Sequence, residues 1–187
     1  MSANTAITTQ ILKQLEKKLK IKIDSERVSF DTAGEVTFLD LSKCGVQSGD
    51  LELIGSLTNL TNLRLDNNQI TEIKGLDKLS RLEYLWLGYN QITEIKGLEG
   101  LKSLTELWSH NNQITEIKGL DGLSNLIYLG LGYNQIREIK GLEGLKSLTT
   151  LSLSGNQIKN TDFKKGSLKI YLYSQTISNP NLKIHKK

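Results

Sequence analysis

Asparagine recurs in this chain at a constant interval of 22 residues, as Asn68, Asn90, Asn112, Asn134 and Asn156. The residues around each one recur with it. Before Asn90 stand Leu79, Leu82, Leu85 and Leu87, and after it Ile92, Ile95 and Leu98. The same L-x-x-L-x-x-L-x-L-x-x-N-x-I-x-x-I-x-x-L frame runs from Leu57 to Leu76 and from Leu123 to Leu142. The copy from Leu101 to Leu120 has Ser109 in place of one Leu, and a fifth runs from Leu145 to Ile158 before the frame is lost at Thr161. A period of this size means one small unit per repeat, none of which can bury its apolar face alone.

Within L-x-L the period is two, so Leu85 and Leu87 face inward while Trp86 faces outward. Stacking such units about 4.8 Å apart pairs their short strands and merges the Leu/Ile frame into one continuous core. The Asn amide offers donors and an acceptor to backbone groups left unpaired where the chain leaves the strand. Asn68, Asn90, Asn112, Asn134 and Asn156 are therefore read as a structural ladder.

These residues resemble the leucine-rich repeat family, in the 22-residue subclass found in a regulatory subunit of protein phosphatase 1 and in bacterial internalins. The resemblance covers residues 36 to 160 strictly and most of the chain in degenerate form. It implies an α/β solenoid, a leucine-rich repeat horseshoe with short parallel strands on the concave side and turns or 3₁₀ segments on the convex side. Leu39, Leu41, Cys44 and Val46 fit the frame with Cys in the Asn place, a replacement the family tolerates, so Cys44 is expected to be a buried ladder residue rather than a reactive thiol. At the other end Ile170, Leu172, Gln175 and Ile177 fit it again, which brings the expectation to about seven parallel strands.

Open solenoid ends need caps. Ile7, Ile11, Leu12, Leu15 and Leu19 lie at helical spacing, with lysines on other faces. Ile21 and Ile23, then Val28 and Phe30, alternate with polar residues before the turn-rich Asp31 to Gly34. Residues 1–37 are accordingly read as a helix and β-hairpin cap, 38–158 as the repeat array, and 159–187 as an irregular C-terminal cap strand with a basic tail.

A composition of 37% hydrophobic and 24% charged residues excludes wholesale disorder. One cysteine and two histidines, His110 and His185, supply no nucleophile and base pair and no metal cluster. No enzyme, cofactor or metal is expected. The opening MSANTAITTQ lacks the basic start and apolar core of a signal peptide, and no stretch approaches about 18 apolar residues, so a cytoplasmic protein without a transmembrane segment is expected. The net charge of +4 is unevenly placed: residues 38–156 carry 11 Lys+Arg against 14 Asp+Glu, whereas 157–187 carry 7 against 1. The basic pI belongs to the C-terminal end.

Function is sought at the positions the repeat leaves free. Flanking and interrupting L-x-L stand Tyr84, Trp86, Gly88 and Tyr89, then Glu106, Trp108 and His110, then Tyr128, Gly130, Gly132 and Tyr133. Aromatic residues make up only 6% of the chain, so their gathering on one stripe is informative. Tyr and Trp dominate binding hot spots, and recognition is weighed above its alternative, rings stacked only to stabilise adjacent strands. The candidate partner-binding residues are Tyr84, Trp86, Tyr89, Trp108, His110, Tyr128 and Tyr133, with Arg64, Asp66 and Glu106 as polar rim contacts. Gly88, Gly130 and Gly132 are expected to leave depressions between the rings. Ser109 places a hydroxyl in the Leu frame that needs a partner.

The leading expectation is a non-enzymatic, monomeric protein-recognition module, an adaptor or regulatory scaffold that holds a protein or peptide on the concave face. One alternative is a binder of nucleic acid or an anionic surface through Lys164, Lys165, Lys169, Lys183, Lys186 and Lys187, with Tyr171 and Tyr173 as stacking rings. A lysine-rich terminus is more often simply solvated, and nucleic acid is not the favoured partner. A second alternative is an internalin-like host-protein binder, which the frame fits equally well.

Overall fold

The computed structural model describes residues 3–159 and 168–171. Helix α1 (Ala3–Leu19) is followed by an eight-stranded sheet in simple sequential order: β1 (Val28–Phe30), β2 (Val36–Asp40), β3 (Asn62–Arg64), β4 (Tyr84–Trp86), β5 (Glu106–Trp108), β6 (Tyr128–Gly130), β7 (Thr150–Ser152) and β8 (Lys169–Tyr171). β1 and β2 form an antiparallel hairpin, and β2 to β8 are the seven parallel strands expected. Leu172, Gln175, Ile177 and the basic tail lie outside the described residues.

Parallel pairing in this register puts like on like. Leu39, Leu63, Leu85, Leu107, Leu129, Leu151 and Ile170 form one row, all but closed to solvent, and Leu41, Leu65, Leu87, Leu131 and Leu153 form a second. With the Leu and Ile residues of the return segments they make one apolar cluster along the whole array. Truncating one such side chain to Ala costs about 2–5 kcal/mol. Each return segment is a chain of tight turns, for example Leu101 N–H to Leu98 O at 3.0 Å and Leu104 N–H to Leu101 O at 3.1 Å. Among the described residues, the first repeat alone adds a 3₁₀ turn (Ser48–Asp50) and a short helix, α2 (Leu51–Ile54), ahead of these turns. At Gly97 the turn requires glycine twice over, since φ is +80° and a Cβ would lie 2.2 Å from the Ile73 carbonyl oxygen.

The asparagines bind successive turns together. Asn90 Oδ1 accepts the Ile70 N–H at 3.0 Å, while Nδ2 donates to Leu65 O of the preceding turn at 2.9 Å and to Leu87 O of its own at 3.1 Å. Asn112, Asn134 and Asn156 repeat this pattern one turn further each time. Ser109 finds its partner in the ladder, since Asn112 Nδ2 reaches its hydroxyl at 3.4 Å. Cys44 occupies the first place in the row and is buried. The thiol has a single weak donor, which reaches Ser42 O at 3.2 Å, and Arg27 adds what a second amide hydrogen would supply: its guanidinium donates to Asp40 O, Ser42 O and Cys44 Sγ at 3.2–3.5 Å.

The N-terminal cap differs from expectation in two places. Ile11 and Leu15 of α1 enter the core, but Ile7 is exposed. The first turn of α1 runs instead along the hairpin loop, where Thr5 Oγ1 donates to Ala33 O and Thr8 Oγ1 to Glu35 Oε2. Phe30 is also exposed, because a register shift between Ser29 and Phe30 interrupts the alternation that Val28 begins. Lys18 of α1 pairs with buried Asp50, which also accepts the Gln47 N–H at 2.8 Å and so ties the cap to the first repeat.

Candidate functional site

Strand register lays the free positions out in columns across the sheet. One column reads Phe38, Asn62, Tyr84, Glu106, Tyr128, Thr150 and Lys169; the next reads Asp40, Arg64, Trp86, Trp108, Gly130, Ser152 and Tyr171. Backbone bonds from Asn67 to Gly88, Tyr89 to His110, and Asn111 to Gly132 continue the ladder past the strands, and set Asp66, Gly88, His110 and Gly132 side by side. All ten candidate residues thus fall within four consecutive repeats.

Their environments are not alike. Tyr84 stacks on Trp86 with ring centroids 5.9 Å apart, and Trp108 stacks on Tyr128 at 4.0 Å. Trp108 Nε1 donates to Glu106 Oε2 at 3.0 Å, and the Arg64 guanidinium lies 5.8 Å from the Trp86 ring centre. Burial, then the nearby Glu106 carboxylate, pushes the Tyr128 phenol above its ordinary range. These four rings are half-buried by one another, whereas Tyr89 and Tyr133 are 53% and 61% exposed. Strand-stabilising stacking and an exposed aromatic surface therefore coexist, on different residues.

Two expected depressions are filled. A Cβ on Gly88 would lie 2.5 Å from His110 Cε1, and one on Gly130 would lie 3.0 Å from Tyr128 Cε1. The glycines leave room for the neighbouring His110 and Tyr128 rings. At Gly132 the nearest side-chain atom would be Ser152 Oγ, at 3.8 Å.

Asp66 is no rim contact: it is 7% exposed. Its Oδ1 accepts the Gly88 N–H at 3.0 Å, which draws the carboxylate under the face. Its Oδ2 is enclosed without a hydrogen bond, and Arg64 Nε stands 3.8 Å away. Arg64 divides its charge, lying 3.6 Å from Asp40 Oδ2 as well. Burial raises the Asp66 carboxyl above its usual range, against the opposing pull of the Gly88 hydrogen bond, Arg64 and His110.

One feature of the face has no counterpart in the hydrophobic frame. The residue just before each ladder position is left-handed in every repeat: Lys43, Asn67, Tyr89, Asn111, Tyr133 and Gly155, with φ from +53° to +69°. Asn and Gly adopt this conformation readily, and tyrosine does so at a cost of about 1–2 kcal/mol. The signal was present in the sequence, because Asn67, Asn111 and Gly155 are the residue types such a position selects. Lys43, Tyr89 and Tyr133 stand out against them, and of these the two tyrosines carry rings.

Beyond the ladder, Glu72, Glu94, Glu116 and Glu138 recur at 22-residue spacing, each followed two residues later by a lysine. Glu94 is flanked by Lys96 and Lys118, both at 3.5 Å, which hold its carboxyl below the usual range, Lys118 contributing most. A polar hollow of about 300 Å³ lies there between Thr115, Glu116, Gln135, Arg137, Glu138 and Lys140. Among the described residues, no group of three His, Cys, Asp or Glu is arranged to hold a metal ion, and no helix is long and apolar enough to cross a membrane.

Residues 35–78, 80–124 and 124–165 each match the description "Leucine Rich repeats (2 copies)". The chain belongs to the leucine-rich repeat family. Among solved leucine-rich repeat structures it is similar to an internalin (inlF) from Listeria monocytogenes, at 27% identity and a TM-score of 0.59 over 84% of this chain and 56% of that one. A leucine-rich repeat protein of Leptospira interrogans shares 36% identity, at a TM-score of 0.54 over 58% of this chain and 29% of that one. The leucine-rich repeat domain of APL1B, at 19% identity and a TM-score of 0.58, shares the fold over 63% of this chain and 38% of its own. The chain thus spans less than two thirds of each of these solved repeat proteins. No curated protein sequence matches it. Leucine-rich repeats are in general an interaction fold rather than a catalytic one.

Proposed function

We propose that this protein is a non-enzymatic recognition module that holds a protein or peptide partner against the concave, strand-bearing face of its repeats. The observation that carries this reading is the pair Tyr89 and Tyr133, two exposed rings kept in a backbone conformation that tyrosine disfavours. Ring-on-ring stacking accounts for Tyr84, Trp86, Trp108 and Tyr128 without a partner; Tyr89 has only an edge contact with His110 and Tyr133 lies over Gly155, and both rings stay exposed. The half-buried rings then serve as a preorganised floor, with Arg64 and Glu106 beside them as charged contacts. The fold and its likeness to an internalin support an interaction role, and specificity would reside in these free positions rather than in the shared frame. The single thiol, buried at Cys44, fits a cytoplasmic protein.

Affinity capture tests the proposal. Wild-type protein is compared with Trp86→Ala/Trp108→Ala and with Tyr89→Asn/Tyr133→Asn, each checked for native circular dichroism. A partner retained by wild type and lost by both variants is the expected result. Equal capture by the folded variants would sink the reading. The basic-end alternative rests almost wholly on residues outside those described, Lys169 and Tyr171 excepted, and no observation favours it.

A further inference from the structure

Column order places a histidine and a buried carboxylate on either side of a glycine. His110 lies over Gly88, just past the end of β4, with Cε1 and Nε2 at 2.5 and 2.7 Å from where a Gly88 Cβ would sit; Asp66 Oδ1, from the preceding repeat, is 3.0 Å from the same point. Gly88 does not have a positive φ, so the backbone would accept alanine, and what excludes a side chain here is the space that His110 and Asp66 share. Above this point the His110 ring meets Tyr89 edge-on, with centroids 5.3 Å apart.

The carboxylate is incompletely served. Oδ1 has the Gly88 N–H and is the oxygen that converges with His110; Oδ2 has no hydrogen bond and faces Arg64 Nε at 3.8 Å. A buried carboxylate with one hydrogen bond is costly, its oxygen Oδ1 can accept a second beside the Gly88 N–H, and a cation that donates there gains correspondingly. Neutral imidazole has one N–H and one acceptor nitrogen; imidazolium presents two donors and a positive charge. Histidine makes this change in the ordinary physiological range.

We propose that His110 and Asp66 form a proton-operated latch on the sheet face. On taking a proton from solvent, His110 donates toward Asp66 and is held down over Gly88; on losing it, the ring is released and its packing against Tyr89 loosens. The surroundings leave this balance to the two residues. From β3, Arg64 attracts Asp66 Oδ2 from 3.8 Å, but shares itself with Asp40. From the segment after β4 come Gly88 and the ring edge of Tyr89. On the strand of His110 itself, Glu106 is engaged by the Trp108 indole N–H. From the next repeat, Gly132 and Tyr133 bring no formal charge. The raised carboxyl of Asp66 is in keeping with a group that gains from a proton or a cation.

The latch lies within the proposed recognition face but does not depend on a partner, so it is tested without one. Near-ultraviolet circular dichroism reads the surroundings of Tyr89, Trp86 and Trp108, and is followed from pH 5 to 8 in wild type, His110→Gln, Asp66→Asn and Gly88→Ala. Wild type is expected to show one reversible transition. His110→Gln abolishes it while His185 is left intact, and Asp66→Asn and Gly88→Ala each reduce its amplitude by at least half. A flat wild-type profile, a transition surviving in His110→Gln, or full amplitude in Asp66→Asn would overturn the latch. If Gly88→Ala does not fold, as thermal melts would show, the other two variants decide. Equal partner capture by wild type and the folded ring variants, with the transition intact, would refute the recognition reading and leave the latch standing.

Discussion

Asn90 Oδ1 and the Ile70 amide are 3.0 Å apart across two turns of the solenoid, while the other end of the same amide donates to Leu65 and Leu87. One side chain thus satisfies three backbone groups in a region closed to water. Removing a partner from a buried polar group costs about 1–3 kcal/mol, because the group left behind stays desolvated. The Asn row is therefore as much a part of the fold as the Leu rows.

Asn90→Ala is expected to lower stability by about 3 kcal/mol, and Asn90→Asp by a comparable amount because a carboxylate has no N–H for Leu65 and Leu87. Urea unfolding monitored by circular dichroism measures both. Losses below about 1 kcal/mol would mean that water replaces the amide, and that the row is not the seam between turns.

Cys44 takes the Asn place at the N-terminal end, where Arg27 crosses from the cap to supply donors. Burial, the largest influence, raises the thiol above its ordinary range although Arg27 opposes it, so little thiolate is present near neutrality. Ellman's reagent is expected to modify Cys44 slowly in native protein and at once in denaturant. Arg27→Ala should speed the native reaction by loosening the cap. A fast native reaction in wild type would contradict the buried assignment.

The frame was legible because it repeats: a ladder of Asn and Leu at 22-residue spacing admits one register, and the seven parallel strands follow from it. What escaped the sequence depended on contacts without a period. Phe30 turns outward through a local register shift, and Ile7 falls where α1 follows the hairpin loop rather than the core. Asp66 looked like a surface residue by its column; the Gly88 amide draws it under the face, and only the absence of a side chain at Gly88 makes that possible.

Tyr133 lies over Gly155, whose Cβ, if present, would be 2.6 Å from the ring. Its left-handed backbone, like that of Tyr89, costs about 1–2 kcal/mol that Asn in the same place avoids. Tyr133→Asn and Tyr89→Asn are expected to leave the melting temperature unchanged or raised, against the usual loss on removing an aromatic ring. Melting curves of the two single variants decide. A fall of more than about 3 °C in either, on the order of 1 kcal/mol for a domain of this size, would show that the rings serve stability rather than recognition.

The raised Asp66 carboxyl has a definite consequence for stability against pH. A group whose folded-state value lies above its unfolded value binds protons more tightly when folded. It therefore favours the folded state at pH below the unfolded value, about 4 for aspartate, and this contribution is lost as pH rises through the folded value. At neutral pH the buried charge is consequently a burden that Asp66→Asn removes, while the amide oxygen can still accept the Gly88 N–H. Any pH-independent effect of the substitution cancels when one compares its melting temperature, relative to wild type, at pH 7.5 and pH 3.5. The difference should be more positive at pH 7.5. The opposite order would mean that Arg64 and the Gly88 amide outweigh burial, and that Asp66 is held as a stabilised anion.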